Sequence, residues 1–227
     1  DVLAISAAYE QLFTNALELM DLAGLPIRSA DRTAEHPLVI GGGHGAFNPE
    51  PVTDFFDLFV IGEAEEALIE LLASFQHVRS EPREAQLRAL LEIPGLYIPR
   101  FYRAAYQADH TLSAIEPTTP EAPLPIQRRL APELPAPPIR QIVPNIDIVH
   151  NRAIVEIQRG CLRGCRFCQA GIITRPTRER PADDLVAEIA QVFDATGYEE
   201  MALLSLSAAD HSEISKLLDA LQARFDD

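Results

Sequence analysis

The chain of 227 residues has little sulfur and almost no lysine. It carries three cysteines, two methionines, no tryptophan and one lysine, Lys216, against 18 arginines. Residues 1–160 contain no cysteine. An odd, clustered set with no visible secretory leader argues against the disulfide framework of a small secreted domain. No apolar run approaches the length of a membrane span, so no membrane partner is expected and the compartment reads as cytoplasmic. Basic charge is in deficit: the net charge is −15 and the pI near 4.8. That balance argues against a general nucleic-acid or membrane-surface binder. Apolar content of 47% and charged content of 23% are those of an ordinary globular protein, long enough for one large domain or two modest ones. The sequence opens at Asp1 in "DVLAIS", which reads as the middle of a strand, and it reads as an internal piece of a longer protein.

All the cysteine lies in "GCLRGCRFCQAG", residues 160–171, as Cys161, Cys165 and Cys168. Structural thiols scatter along core positions, whereas these sit in a turn rich in Gly and Arg. Structural zinc wants four ligands, commonly as paired short spacings, and a fourth would have to come from one of six scattered histidines or an acid. The spacing C-x3-C-x2-C favours an iron–sulfur cluster. A short loop can fold three thiolates onto three irons of a cubane and leave the fourth iron open to an exogenous ligand. Gly160, Gly164 and Gly171 let the backbone wrap closely, and Arg159, Arg163 and Arg166 offset the charge of a thiolate-bound cluster. Arg163 is expected to face solvent or the outer shell of the cluster.

"CLRGCRFC" resembles the cluster motif of the radical S-adenosylmethionine (SAM) superfamily, in which an aromatic residue, here Phe167, precedes the last cysteine. The resemblance implies a [4Fe–4S] cluster on the three cysteines, with SAM on the open iron and Phe167 beside its adenine. It implies reductive cleavage of SAM to methionine and a 5′-deoxyadenosyl radical, and a flavodoxin- or ferredoxin-type reductant as partner. It makes "RAIVEIQ", residues 152–158, the first strand of a (β/α) partial barrel with the cluster loop at its C-terminal end. "PADDLVAEIAQVF" then reads as a helix, "MALLSLS" as the second strand, and "SEISKLLDALQARF" as the next helix. Where the superfamily usually has Gly-Gly-Glu, this chain has Ala208, Ala209 and Asp210, with Ser205 and Ser207 just before. Ser205, Ser207 and Asp210 are therefore candidate SAM contacts. Asp210 and Glu213 also spell a D-x-x-E capping box. Residues 151–181 hold seven Arg and two Glu. That basic stretch is either a solvated loop or a set of anion ligands, with Arg178 the candidate SAM contact and nucleic acid not excluded as a partner.

The first part reads as a separate α/β unit. "VLAIS", "PLVIGGG" and "LFVIG" are short apolar strands alternating with the helical stretches "YEQLFTNALELMDLAG" and "EAEEALIELLASF", which implies a doubly wound parallel sheet. "GGGHGAFNPEP" fits G-x-G-x-x-G poorly. With the cluster motif, this half resembles the cobalamin-binding-type domain that precedes the barrel in many radical SAM proteins, through Gly42, Gly43 and His44, then Asp57, Gly62, Glu63 and Glu65. The subgroup it is most similar to consists of uncharacterised radical SAM proteins with such a domain. Cobalamin itself is unsupported, because D-x-H-x-x-G does not occur, and His44 reads as a loop histidine.

Eleven of 18 prolines fall between Pro94 and Pro144. The expected organisation is a cobalamin-binding-like domain at 1–92, a hairpin and Pro-rich linker at 93–148 with Arg128 and Arg129 solvated, and a truncated barrel at 149–227. The leading functional expectation is a radical SAM enzyme of unknown substrate. Three alternatives stand beside it. One is a cobalamin-dependent methyltransferase. Another is a methylthiotransferase-like RNA- or protein-modifying enzyme, disfavoured because residues 1–160 lack the cysteines of a second cluster. The third is a non-catalytic iron–sulfur redox or sensor protein.

Overall fold

The computed structural model describes residues 1–146 and 148–225. They form two compact units, Asp1–Ala131 and Pro132–Asp227.

The first unit is α/β and Rossmann-like. In chain order it runs β1 (Val2–Ser6), α1 (Phe13–Leu22), β2 (Leu38–Gly42), β3 (Leu58–Val60), α2 (Ala64–Val78), α3 (Arg83–Ala89) and β4 (Leu96–Tyr97). The sheet order is β1-β2-β3-β4, with the first three strands parallel and β4 antiparallel to β3. Parallel neighbours need crossovers, and strands covered on both sides need apolar residues throughout. "LVI" of β2 and "LFV" of β3 meet that need, all six being buried. Helices α1 and α2 bury a helical stripe, Ala16 and Met20 on one, Ala67, Leu71 and Phe75 on the other.

One ion pair is built into this core. Arg32 and Asp57 are fully buried, and Nε meets Oδ2 at 3.2 Å. Arg32 also donates to the carbonyls of Pro26, Ile27 and Phe55, and Asp57 accepts the Val39 N–H at 2.8 Å. Burial pulls the Arg32 pKa below its ordinary value even beside this carboxylate.

Residues beyond β4 stay with the same unit. Strands β5 (Tyr102–Tyr106) and β6 (Leu112–Pro117) pair as an antiparallel hairpin turning through His110, whose φ is +64°. The Tyr102 hydroxyl donates to the Pro123 carbonyl at 2.6 Å, and burial pushes its pKa up to about 12. The Pro-rich stretch then crosses the end of β3 as a strap. Arg129 N–H donates to Ile61 O at 2.8 Å, and Glu63 N–H donates to Arg129 O at 3.1 Å. Arg129 is not solvated: its guanidinium pairs with Glu66 and Glu70, and only 17% of the side chain is exposed. Glu63 in turn accepts the Ala131 N–H at 2.7 Å. The contact between strap and strand requires glycine at position 62, whose φ is +105° and whose hypothetical Cβ would lie 2.2 Å from Arg129 O.

The second unit is two successive β/α steps. Strand β7 (Ala153–Glu156) is followed by β8 (Gln158–Arg159), the single-turn α4 (Ala170–Ile173), β9 (Arg178–Glu179) and α5 (Ala182–Thr196). Then come β10 (Met201–Leu204) and α6 (Ile214–Phe225). Strands β7 and β10 are parallel, with Ala153 opposite Met201 and Glu156 opposite Leu204. Ala153, Val155 and Ile157 alternate onto one face and pack with Leu185, Ile189 and Val192 of α5 and Leu217 of α6. On its outer edge β7 is met by a side chain: the Gln141 amide donates to Ile154 O at 2.7 Å and accepts the Ile154 N–H at 3.3 Å.

Candidate iron–sulfur loop

The cysteine loop leaves the sheet immediately after β7, at the C-terminal end of that strand. Its base is closed by the short antiparallel ladder of β8 and β9, with Gln158 opposite Glu179 and Arg159 opposite Arg178. Gly160 makes the exit turn at φ +89°, where a Cβ would come within 3 Å of the Thr174 and Pro176 carbonyls. Within the loop Cys161 is buried, Cys168 half-buried and Cys165 exposed. Two of the sulfurs receive backbone donors. Arg163 N–H donates to Cys161 Sγ and Gly171 N–H to Cys168 Sγ, each at 3.3 Å. A Cβ on Gly171 would sit 3.5 Å from Cys168 Sγ and 3.9 Å from Cys161 Cβ, so these two cysteines converge on the glycine.

Among the described residues no three His, Cys, Asp or Glu side chains stand gathered as a ready-made metal site. The chemistry of the donors nevertheless fits a cluster. Three thiols share one loop, two lie beside a common glycine, and backbone N–H groups already point at two sulfurs, as stabilised thiolates require. Nothing in the set suits a hard cation, which takes oxygen ligands.

The other candidate residues fall into two groups. Ser205, Ser207 and Asp210 lie together beyond β10 and are joined to the cysteine loop. Ser207 N–H donates to Ser205 Oγ at 3.0 Å, and Ser207 Oγ donates to Asp210 at 2.7 Å. Arg163 reaches across and forks onto the same carboxylate, with Nε to Oδ2 at 2.6 Å and Nη2 to Oδ1. These donors, Arg163 first, hold the Asp210 carboxyl below its ordinary pKa. Arg163 keeps its proton more tightly than usual, from Asp210 foremost and then from Cys161 and Cys165. The Arg163 side chain is thus largely exposed, as its place in the loop suggests, yet it is committed to a partner 47 residues away.

The D-x-x-E capping box does not form. Asp210 is taken by Arg163 and Ser207, and Glu213 accepts the Ala182 N–H at 2.9 Å, which caps α5 instead of α6.

Phe167 stands apart, 91% exposed. Arg178 lies on β9 and lines a cavity of about 360 Å³ with Glu179, Arg180, Asp184 and residues 132–134, a cavity whose walls include none of the cysteines. Much of the basic stretch is used within the chain. Arg159 pairs with Glu156, Arg180 with Glu188, and Arg175 donates to the Arg163 carbonyl.

Two residues escape sequence reasoning altogether. His211 is buried between Arg180 O, 3.0 Å from Nε2, and Glu213 N–H, 3.1 Å from Nδ1, which ties the β9 end to the segment before α6. Gln158 is 1% exposed, and neither amide atom has a partner among the described residues. In the first unit His44 is exposed. Gly43 and Gly45 each approach the Ala7 carbonyl so closely that a Cβ would lie within about 3 Å of it. Those two glycines serve close packing against the end of β1.

A family described as radical SAM proteins, N-terminal, matches residues 1–99. The match supports a place in the radical SAM superfamily. The matched region lies in the sheet unit, whereas the cysteines lie outside it. Along 97% of its length the chain is 24% identical to the uncharacterized protein MJ0966 of Methanocaldococcus jannaschii, of which it spans 41%. Over 76 residues it is 30% identical to the threonylcarbamoyladenosine tRNA methylthiotransferase MtaB of Chlamydia pneumoniae, which covers 34% of the chain and 18% of that protein. The chain thus spans well under half the length of either relative. No helix among its described residues is long and apolar enough to cross a membrane.

Proposed function

We propose that Cys161, Cys165 and Cys168 hold a [4Fe–4S] cluster, and that the whole protein is an enzyme that cleaves SAM to start radical chemistry on an unidentified substrate. The observation that carries this reading is the loop itself: three thiols at the C-terminal end of a parallel strand, two of them accepting backbone N–H bonds. When bound, the cluster supplies the electron that cleaves SAM into methionine and the 5′-deoxyadenosyl radical. The chain's own residues do the rest. Cys161 and Cys168 are oriented by the N–H groups of Arg163 and Gly171, and Cys165, exposed in the same loop, would be the third ligand. Phe167 offers an uncovered aromatic face for the adenine, and Ser205 and Ser207, at the end of β10, offer hydroxyls to the polar part of SAM. A flavodoxin- or ferredoxin-type protein is the proposed reductant.

The likeness to MtaB favours one second reading, a methylthiotransferase-like enzyme that modifies RNA or protein. The lack of cysteine in residues 1–160 counts against it here. Anaerobic reconstitution of the full-length protein with iron and sulfide tests the main reading. About four irons per chain are expected, lost in Cys165→Ala, with 5′-deoxyadenosine released on reduction with SAM. Stoichiometric zinc with no iron–sulfur absorbance would overturn it. Full iron loading without SAM cleavage would point to a redox or sensor protein.

A further inference from the structure

We infer that Arg163 and Asp210 are a positioning pair for the cysteine loop, so that Asp210 acts on the thiolates through Arg163 and is not itself a SAM contact. The inference rests on the cluster reading above. Arg163 lies between Cys161 and Cys165 and is fixed at three points. Its N–H donates to Cys161 Sγ at 3.3 Å, its carbonyl accepts from Arg175 at 3.3 Å, and its guanidinium forks onto Asp210. A bidentate fork fixes the plane of the guanidinium as well as its place. An arginine serving only as a positive charge near thiolates has no need of one.

The acid end is the better-shielded one. The Asp210 side chain is 16% exposed against 65% for Arg163, and Ser207 Oγ holds the carboxylate from the other side. With Arg163 on both oxygens and Ser207 on one, Asp210 is engaged and charge-neutralised, which leaves it ill suited to receive the amino group of SAM. The anchor is therefore the segment after β10, and the anchored part is the first half of the loop. What the pair sets is the backbone N–H that meets Cys161 Sγ. Groups that orient metal ligands from outside change metal affinity by about 10- to 100-fold when removed.

The sign of one substitution separates this from simple electrostatics. If Asp210 acted only as a nearby negative charge, Asp210→Asn would strengthen retention of an anionic cluster. Acting through Arg163, the same change weakens it. The experiment compares wild type, Asp210→Asn, Arg163→Met, the double variant and Arg166→Met, which removes a like charge from the same loop at an exposed residue. In reconstituted full-length protein, iron loss to a chelator is measured. In the cluster-free protein, amide exchange over residues 160–171 is measured.

Both single variants are expected to lose iron about tenfold faster, the double variant no faster than the worse single, and Arg166→Met less than the paired residues. In the cluster-free protein, exchange over 160–171 is expected to speed up in both singles. Wild-type or slower iron loss in Asp210→Asn, multiplicative effects in the double variant, or unchanged exchange would each overturn the pair. Should wild type take up no iron, the cluster reading fails, and the exchange comparison still decides the pair.

Discussion

At the scale of single residues, one glycine and one glutamine carry the clearest consequences. Gly62 and Gly42 look alike in sequence, each closing an apolar strand. Gly42 has ordinary φ and open space at its missing Cβ, whereas Gly62 sits at φ +105° with Arg129 O 2.2 Å from that point. Gly62→Ala is expected to destabilise the first unit by about 2 kcal/mol or more, and Gly42→Ala by under about 1 kcal/mol. Urea unfolding of the two variants decides it, and equal midpoints would contradict the strap. Gln158 presents the opposite case. A buried amide with no partner bears its desolvation penalty in full, so Gln158→Met is expected to raise stability by about 1–3 kcal/mol in the cluster-free protein. A loss of stability would show that the amide has a partner after all. Gly62 stood out in the sequence only as part of a family resemblance, and Gln158 not at all. The cysteines were legible, because their spacing is local, while the environments of Gly62 and Gln158 are made by segments distant in sequence.

At the scale of elements, apolar periodicity located the main strands and helices, since burial on one face writes itself into the sequence. Strands β1, β2, β3 and β10 and helices α1, α2, α5 and α6 all lie on stretches read that way. The pieces that periodicity misses are short: α3, β4, the two-residue ladder of β8 and β9, and α4. Their ends are set by tertiary partners. Helix α5 shows this well, because its N-terminal N–H is capped by Glu213, 31 residues later, and not by a neighbour. That bond and Lys216 hold the Glu213 carboxyl below its ordinary pKa. A group whose pKa is depressed on folding contributes above its unfolded value and loses that contribution as pH falls through the folded one. Exchange protection of the Ala182 amide should therefore be full near neutrality and fall on acidification below the ordinary glutamate range. In Glu213→Gln, which keeps an acceptor but cannot titrate, it should stay flat, and a titration surviving in that variant would assign the effect elsewhere. His211, the other link between β9 and the last helix, donates from Nε2 to the Arg180 carbonyl and accepts the Glu213 N–H at Nδ1. His211→Ala should cost the second unit about 2 kcal/mol, read as a lower melting midpoint.

At the scale of the whole molecule, the charge of the chain and the charge of its site have opposite signs. A net of −15 contrasts with seven arginines and two glutamates in residues 151–181. Composition alone suggested a reserve of free cations there, whereas the fold shows Arg159, Arg163 and Arg180 in ion pairs. Sequence shows where charges cluster but not which acids come to meet them, since Asp210 reaches Arg163 only once β10 lies beside β7. The same holds for the first unit, where the buried pair joins Arg32 to Asp57, 25 residues apart. The sheet of that unit, its helices and every buried residue of its core, from Ala16 to Ala122, lie within residues 1–131, and the strap at Arg129 closes it. Residues 1–131 expressed alone are therefore expected to unfold cooperatively in urea, with a slope of about 1–3 kcal/mol per molar. Asp57→Ala should remove about 3–5 kcal/mol by leaving Arg32 buried without its counterion. The same piece, which contains no cysteine, should take up no iron under conditions that load the full-length protein. A gradual, non-cooperative melt would mean that the sheet unit needs residues beyond Ala131 to fold, and iron bound to the isolated piece would place metal-binding chemistry outside the cysteine loop.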